Sequence, residues 1–285
     1  MSTATGVAAA LSGSPPARTS LSLFSVANRV ALVTGGHRGI GLEMALALAE
    51  AGAIVYCLDL PTEPDADWVK VQNYVAALPA TEQNLKGRLE YVTGNVTDQK
   101  AMFAHVESIV EREGRIDICM ANAGILHACD CLDYSAEDFR KVHEVNVSGV
   151  LYTAQAAGRQ MERLGTPGSI VLTASISGHI TNPTQHLLAY NTSKSAVLQM
   201  ARSLACELAP KGIRVNSISP GYIVSEMTRG GFSEPGLKQQ LSAQNPMGRF
   251  GRTDELRGAV LWLASDASTF CTGTDVKVDG GQCAW

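Results

Sequence analysis

Seven short apolar runs, separated by longer segments of helical period, constrain the fold of this chain more than any other feature. The runs occupy residues 29–33, 54–58, 89–93, 116–121, 169–173, 213–219 and 275–278. Alternation of this kind is typical of repeated βα units. Because the runs are apolar at consecutive positions, helices must cover both faces of the sheet that they form. The sequence therefore predicts an α/β protein with one domain over residues 29–285, built on a doubly wound parallel sheet of about seven strands.

Composition and charge narrow the class of protein. Of the 285 residues, 45% are hydrophobic and 18% are charged, which suits one sizeable core. The formal net charge of -4 gives no reason to expect a basic face for nucleic acid or an anionic membrane. No apolar run approaches the ~20 residues that cross a bilayer. We therefore expect a soluble, cytoplasmic protein whose partner is a small molecule, with no nucleic-acid partner and no membrane partner.

The first 28 residues differ in composition from the rest of the chain. They are rich in Ala, Ser, Thr, Gly and Pro, and Arg18 is their only charged side chain. A disordered extension is predicted, with a weak organellar transit segment as the alternative.

The seven cysteines show no repeated pair spacing. Cys129 and Cys131 are the only close pair, and they do not form a CxxC motif. We expect reduced thiols and no metal site.

A glycine-rich turn, TGGHRGIG at residues 34–41, joins the first strand to the first helix. Glycines at 35, 39 and 41 permit a tight turn and a close approach of the backbone to a pyrophosphate at the helix N-terminus. The turn therefore predicts a dinucleotide site and a Rossmann-type domain. Its predicted cofactor-binding residues are Gly35, His37, Arg38, Gly39, Ile40 and Gly41, of which His37 is interpreted as a solvated loop residue.

Asp59 ends the second strand, 18 positions beyond Gly41. A carboxylate there accepts hydrogen bonds from ribose hydroxyls and repels a 2′-phosphate, which favours NAD over NADP. Arg38 points the other way, since its guanidinium could reach a 2′-phosphate or support the loop. We weight Asp59 more heavily and predict NAD, with NADP the less favoured cofactor.

Tyr190 and Lys194 open the longest amphipathic segment, and a spacing of four places them on one helix face. Free tyrosine has a pKa near 10 and is a poor base at neutral pH. The Lys194 ammonium and a positive nicotinamide would favour the phenolate. The pair predicts Tyr190 as an acid/base, and Ser175 at a strand end and Asn146 in a preceding helix are candidates to hold a substrate oxygen and a water.

These motifs, in this order, resemble those of the short-chain dehydrogenase/reductase family in its smaller form, and the match runs from about residue 27 to 285. The motifs of the family, in their usual order, correspond here to the turn 34–41, Asn122-Ala123-Gly124, Asn146, Ser175, Tyr190 with Lys194, and Pro220-Gly221. The resemblance implies that Tyr190 exchanges the proton and that Ser175 positions and polarises the carbonyl or hydroxyl group. It also implies that Lys194 binds the nicotinamide ribose and lowers the pKa of Tyr190, and that Asn146 holds a relay water.

The resemblance adds further cofactor positions and shows two departures. Ile223 would meet the nicotinamide carboxamide through its backbone, and Ser225 stands where the family often has threonine. The Asp-Val pair that contacts adenine in the family appears here as Asn95-Val96, and asparagine still hydrogen-bonds the amino group. The interval from Ser175 to Tyr190 is longer than usual, which makes Ser177 a rival for the serine role.

Substrate and assembly follow only from resemblance. The region 225–246 corresponds to the family's mobile substrate lid, and segments around Ser175 and at the C-terminus resemble sorbose reductase, mannitol dehydrogenase and arabinitol dehydrogenase-like members. Those members suggest a polyol/ketose pair, and the resemblance to the family as a whole implies a homotetramer. Alternatives are a hydrophobic, terpenoid-like secondary alcohol or a 3-oxoacyl group. A non-catalytic dinucleotide-binding scaffold is disfavoured because Tyr190 and Lys194 are both present.

Overall fold

The fold is known from a computed structural model, which describes residues 6–13, 18–80, 86–183, 185–225 and 236–285. Seven parallel strands form one sheet. They are β1 (Val30–Thr34), β2 (Ile54–Asp59), β3 (Arg88–Thr93), β4 (Ile118–Ala121), β5 (Gly168–Thr173), β6 (Ile213–Pro220) and β9 (Asp275–Val278). Their order across the sheet is β3-β2-β1-β4-β5-β6-β9. The short strands β7 (Ile223–Val224) and β8 (Gly251–Arg252) pair with each other. The seven predicted strands are confirmed, each within two residues of its predicted start.

The helices connect successive strands, as the alternation of the sequence predicts. They are α1 (Gly6–Leu11), α2 (Gly39–Glu50), α3 (Ala66–Ala77), α4 (Gln99–Glu113), α5 (Ala136–His143), α6 (Val150–Leu164), α7 (Leu188–Leu208), α8 (Leu237–Ala243) and α9 (Arg257–Ala264). Short 3-10 turns follow several of these elements. Within the described part of the chain, no helix has both the length and the apolar character needed to cross a bilayer.

Alternate residues of the central strands enter two separate cores, one on each face of the sheet. In β1, Leu32 packs in the core beneath α4, α6 and α7, whereas Val33 packs in the core beneath α2, α3 and α9. Both side chains are fully buried, and burial of an aliphatic side chain contributes about 1.5–3 kcal/mol. Covering both faces in this way requires central strands that are apolar throughout, and the doubly wound architecture is confirmed.

The connection from β3 to β4 places the functional crevice. The chain leaves β3 at one edge of the sheet and returns on the other side of β1, where Ala31 pairs with Ile118. The helices that follow β1 and β4 therefore leave on opposite faces, and a crevice opens at the carboxyl ends of these two strands. Ligands of open α/β sheets bind at this switch point.

Residues 18–28 pack against the domain, while disorder of the N-terminal extension stays a prediction. Val26 is fully buried and its N–H donates to the Ala51 carbonyl at 3.3 Å. Arg18 forms an ion pair with Asp266, which also lies 2.6 Å from Arg29. One apolar anchor and a shared carboxylate thus hold residues 18–28 against the domain. Residues 1–5 and 14–17 lie outside the described part of the chain.

Candidate active site

A cavity of about 700 Å³ opens at the carboxyl ends of the strands, within the size range of small-molecule and cofactor sites. It gathers nearly all of the residues that the sequence predicts for cofactor binding and catalysis. Those that line it are Gly35, Arg38, Gly39, Ile40, Gly41, Asp59, Asn95, Val96, Asn122, Ala123, Gly124, Ser175, Tyr190, Lys194, Pro220, Gly221, Ile223 and Ser225. His37 and Asn146 are not among the lining residues, for reasons that their contacts explain.

The glycine-rich turn forms a cradle for a phosphate-containing group. Helix α2 begins at Gly39, and its N-cap residue Arg38 does not use its side chain to cap the helix. A Cβ at Gly41 would lie 2.0 Å from the Gly35 carbonyl oxygen, so only glycine permits this approach. An uncapped helix N-terminus without an acidic first turn attracts anions. The turn therefore fits the pyrophosphate of a dinucleotide.

Asp59 and His37 form a fixed pair beside this cradle. Asp59 accepts hydrogen bonds from the backbone N–H of His37 at 3.1 Å and of Leu60 at 2.8 Å. His37 is only 8% exposed, so its interpretation as a solvated loop residue is wrong. Its two ring nitrogens lie 3.0 Å from the Tyr91 hydroxyl and 2.9 Å from an oxygen of Asp65. His37 supports the turn from behind, because β3 and the N-cap of α3 enclose its ring.

The turn at Asn122-Ala123-Gly124 joins three strand ends. Asn122 donates from its side chain to the Thr34 carbonyl at 3.0 Å and accepts from the Thr173 hydroxyl at 3.2 Å. The hydroxyl of Thr34 in turn accepts from the backbone N–H of Asn122 at 3.1 Å. The Asn122 amide therefore ties β1, β4 and β5 together, and the remaining surface of the turn faces the cavity.

Asn95 uses its side-chain oxygen within its own turn. That oxygen accepts from the N–H of Thr97 at 3.1 Å and from its hydroxyl at 3.0 Å. It is the same atom that would accept a hydrogen bond from an adenine amino group. An adenine would therefore compete with Thr97, and adenine contact by Asn95 stays a prediction.

Asn146 lies in a π-helical turn, Glu144–Gly149, between α5 and α6. Its side chain is fully buried and accepts from the Ile125 N–H at 2.8 Å while donating to the Ile125 carbonyl at 2.9 Å. It also donates to the Ser193 hydroxyl at 3.0 Å. The side chain thus pins the loop after β4 to α7, which is why it does not line the cavity. Its relay water stays a prediction.

Tyr190 and Lys194 meet Ser175 at the centre of the cavity. The Lys194 ammonium lies 5.6 Å from the Tyr190 ring centroid and donates to the Thr173 carbonyl at 2.7 Å. Burial raises the pKa of Tyr190, and a hydrogen bond with Ser175 lowers it in part. Burial lowers the pKa of Lys194 to about 8. A Cβ at Gly124 would lie 3.5 Å from the Lys194 nitrogen, so strand β4 delivers its turn to the same place.

The two candidate serines have different partners. Ser175 accepts from the N–H of Ser177 at 3.1 Å and shares a hydrogen bond with Tyr190. Ser177 instead donates its hydroxyl to Asn182 at 2.8 Å. The geometry favours Ser175 for contact with the reacting oxygen. Sequence reasoning missed the cavity wall that Ser177 begins, formed with Asn182, Gln185 and Tyr222, because no motif marks it.

Part of the predicted lid lies outside the description. Residues 226–235 are among those not described, whereas Ser225 and Leu237 line the cavity on either side of them. Helix α8 begins directly after Gly236 and buries Leu241 completely. The hinge role of this region stays a prediction.

The cysteines form no disulfide, and the described residues include no candidate metal site. All seven cysteines are free thiols, including Cys129 and Cys131. Within the ranges that the structure describes, no group of three or more His, Cys, Asp or Glu side chains could hold a metal ion.

Comparison with known proteins identifies the family. A family model described as enoyl-(acyl carrier protein) reductase matches residues 35–282. The crystal structure of a short-chain type dehydrogenase/reductase from Mycobacterium marinum superposes with a TM-score of 0.84 at 39% identity, covering 93% of this chain and 99% of that one. This chain belongs to the short-chain dehydrogenase/reductase family. The resemblance inferred from the ordered motifs is thereby confirmed.

Two curated relatives add detail on members of the family. Sorbose reductase from Schizosaccharomyces pombe is 39% identical over 92% of this chain and 99% of its own. An NADP-dependent mannitol dehydrogenase from Hypocrea jecorina is 38% identical over 94% of this chain and 97% of its own. Membership makes this protein a nicotinamide-dependent oxidoreductase, while the predicted preference for NAD is not confirmed by the relatives.

Proposed function

We propose that this protein interconverts a secondary alcohol and the corresponding ketone, of the polyol/ketose type, with a nicotinamide cofactor. The observation that carries the proposal is the meeting of Ser175, Tyr190 and Lys194 in the cavity that the phosphate cradle also lines. Relatives named sorbose reductase and mannitol dehydrogenase support the substrate class. The hydrogen-bonding wall of the cavity supports it independently of any relative.

The residues present fit a dinucleotide. The cradle of α2 would hold the pyrophosphate, Asp59 the adenosine ribose, and the backbone around Ile223 the nicotinamide. When bound, the cofactor supplies the group that accepts or donates the hydride of the carbinol carbon. Everything else in the reaction is a matter of holding the substrate oxygen and moving one proton.

Ser175 and Tyr190 divide that task. The Ser175 hydroxyl accepts from the N–H of Ser177 and bonds to Tyr190, so its own proton remains available to the Tyr190 oxygen or to a substrate oxygen. Tyr190 gives its phenolic proton to the substrate oxygen in reduction and takes it back in oxidation. Burial alone raises the pKa of Tyr190 and favours the protonated form, the form required for reduction. The positive charges of Lys194 and of an oxidised nicotinamide would shift the balance toward the phenolate, which is the form that oxidation requires.

A substrate panel tests the proposed class. We expect pentitols and hexitols, or their ketoses, to give kcat/KM values above those of a terpenoid secondary alcohol and a 3-oxoacyl thioester, each measured with NAD and with NADP. The polar wall of Ser177, Asn182, Tyr222 and Gln185 is the physical reason. Turnover of the hydrophobic substrates alone would refute the polyol assignment and leave the reaction class intact.

We further propose NAD as the preferred cofactor, in spite of the NADP named for the mannitol dehydrogenase relative. Asp59 lies at the cavity, where two backbone N–H groups fix its carboxylate. The negative charge of Asp59 would oppose a 2′-phosphate, and Arg38 is the one positively charged residue among the described residues that line this end of the cavity.

Replacing Asp59 by Ser tests the cofactor preference. The ratio of kcat/KM for NADP to that for NAD should rise by about 10- to 100-fold, since removing a carboxylate about 5 Å from a phosphate relieves about 1–3 kcal/mol of repulsion. Asp67→Ser is the matched control, because Asp67 lies on α3 with its side chain 83% exposed and pairs with Lys70. An unchanged ratio in Asp59→Ser, or a wild-type enzyme that prefers NADP, would contradict the preference.

We also propose that the protein is a cytoplasmic homotetramer, as the family resemblance implies. Trp285 and Phe270 are apolar side chains that stay exposed in the single chain, Trp285 to 79%. Large exposed aromatic side chains are enriched at protein interfaces. Light scattering coupled to gel filtration should give four times the 30.1 kDa mass of one chain.

A further inference from the structure

A directed chain of hydrogen bonds runs along one wall of the cavity. The Ser177 hydroxyl donates to the Asn182 oxygen at 2.8 Å, and the Asn182 amide nitrogen donates to the Tyr222 hydroxyl at 3.1 Å. Tyr222 then donates to the side-chain oxygen of Gln185 at 3.2 Å. All four residues line the cavity together with Tyr190. We refer to these four residues as the polar wall.

The inner members of the polar wall use their polar atoms on one another. Asn182 is 3% exposed and Ser177 is 5% exposed, and each has its partner along the chain of bonds. Burial raises the pKa of Tyr222, so its hydroxyl keeps the proton that it donates to Gln185. Its ring stacks on Phe250 with 5.4 Å between centroids, which fixes the position of that hydroxyl. The wall is therefore a rigid support for its last member.

Gln185 ends the chain of bonds with a donor. Its oxygen accepts from Tyr222, which turns the NH₂ group away from Tyr222. No described residue accepts a hydrogen bond from the side-chain nitrogen of Gln185. Gln185 is half-buried in the cavity, so a bound substrate that offered it no oxygen would leave a desolvated donor unpaired. Such an unpaired donor disfavours binding.

We propose that Gln185, held by Tyr222, recognises a second oxygen of the substrate, on a carbon other than the one that reacts. The inference rests on the proposed function and specifies how the site distinguishes a polyol from a simple secondary alcohol. The wall begins two residues after Ser175, whose hydroxyl accepts from the N–H of Ser177. The residue at the reacting oxygen and the residue that reads the second oxygen are thus joined by one hydrogen-bonded unit.

The first experiment compares substrates with and without additional hydroxyls. Kinetics are measured for a panel of pentitols and hexitols and for 2-pentanol and 2-hexanol, which have the same chain lengths and one hydroxyl. In Gln185→Leu, the ratio of kcat/KM for the polyols to that for the simple alcohols should fall by about 10- to 100-fold relative to wild type. The change should lie mainly in KM, because Gln185 binds an oxygen that does not react.

Gln199→Leu is the matched control for that substitution. Gln199 is an exposed glutamine on α7 that bonds to Arg202 and lies outside the cavity. An unchanged substrate ratio in Gln185→Leu would overturn the inference while leaving the polyol assignment in place. A wild-type enzyme that shows no preference for the polyols would overturn both the assignment and the inference.

A double-mutant cycle tests whether Tyr222 acts through Gln185. Tyr222→Phe keeps the ring on Phe250 and removes the hydroxyl that holds Gln185, so the polyol ratio should fall by about 3- to 10-fold. In the Gln185→Leu background, Tyr222→Phe should have no further effect on that ratio. Additive effects of the two substitutions would show that Tyr222 acts by another route, and would overturn its part of the inference. Thermal unfolding of each variant separates loss of fold from loss of recognition.

Discussion

Tyr190→Phe is expected to lower kcat by about 10²–10⁴-fold, the usual contribution of a positioned general acid or base. The physical reason is that, among the described residues that line the cavity, no other side chain both bonds to Ser175 and carries a phenolic proton that it can exchange with the substrate. Phenylalanine keeps the ring 5.6 Å from the Lys194 ammonium and so preserves the packing. Cofactor affinity, measured by titration calorimetry, should therefore stay within about threefold of wild type.

The control for this experiment is Tyr74→Phe. Tyr74 lies on α3, is 52% exposed and bonds to Glu50. The substitution therefore removes a phenol that takes no part in catalysis. Turnover by Tyr190→Phe within tenfold of wild type would refute Tyr190 as the acid/base. Loss of cofactor binding in the same variant would instead mean that the phenol serves the cofactor site, which would contradict the proposed division of roles.

The sheet and most of the cavity could be predicted from the sequence because their signals are local. Each strand is a short apolar run, and Gly41 sits in a turn whose spacing is dictated by one strand and the helix that follows it. Asp59 and Ser175 can be predicted for the same reason, since each lies at the end of a strand whose position the apolar pattern indicates. In a parallel sheet, residues at strand ends converge at one edge.

The residues that the sequence misjudged depend on partners that lie far along the chain. His37 is buried by Tyr91, 54 positions away, and by Asp65, 28 positions away. Gln185 acquires its role from Tyr222, 37 positions away. The partners of the Asn146 side chain, Ile125 and Ser193, are likewise brought together only by the packing of α7 against the π turn, and its relay water stays a prediction. No periodicity or spacing rule encodes such contacts.

The buried charge of Lys194 lowers the free energy of unfolding. The ammonium is 3% exposed, and burial lowers its pKa from 10.5 to about 8, so it is still mainly charged at neutral pH. That shift corresponds to about 3 kcal/mol of destabilisation at any pH below 8, where both the folded and the unfolded chain hold the proton. Between pH 8 and 10.5 the folded chain releases its proton first, and this penalty disappears as the pH rises.

Lys194→Met should lower activity and, because it removes the buried charge, make the protein more stable. Methionine fills the same space without a charge, and its gain is reduced by loss of the 2.7 Å bond to the Thr173 carbonyl, so we expect a net 1–2 kcal/mol, or about 2–4 °C in Tm, at pH 7. The kcat should fall by about 10²–10⁴-fold. The difference in Tm from wild type should shrink as the pH is raised from 8 toward 10, whereas Lys70→Met, at a side chain 76% exposed, should show no such trend. A Lys194→Met protein less stable than wild type at pH 7 would mean that the bond to Thr173 outweighs the burial of the charge, and the stability cost assigned to this catalytic lysine would be wrong.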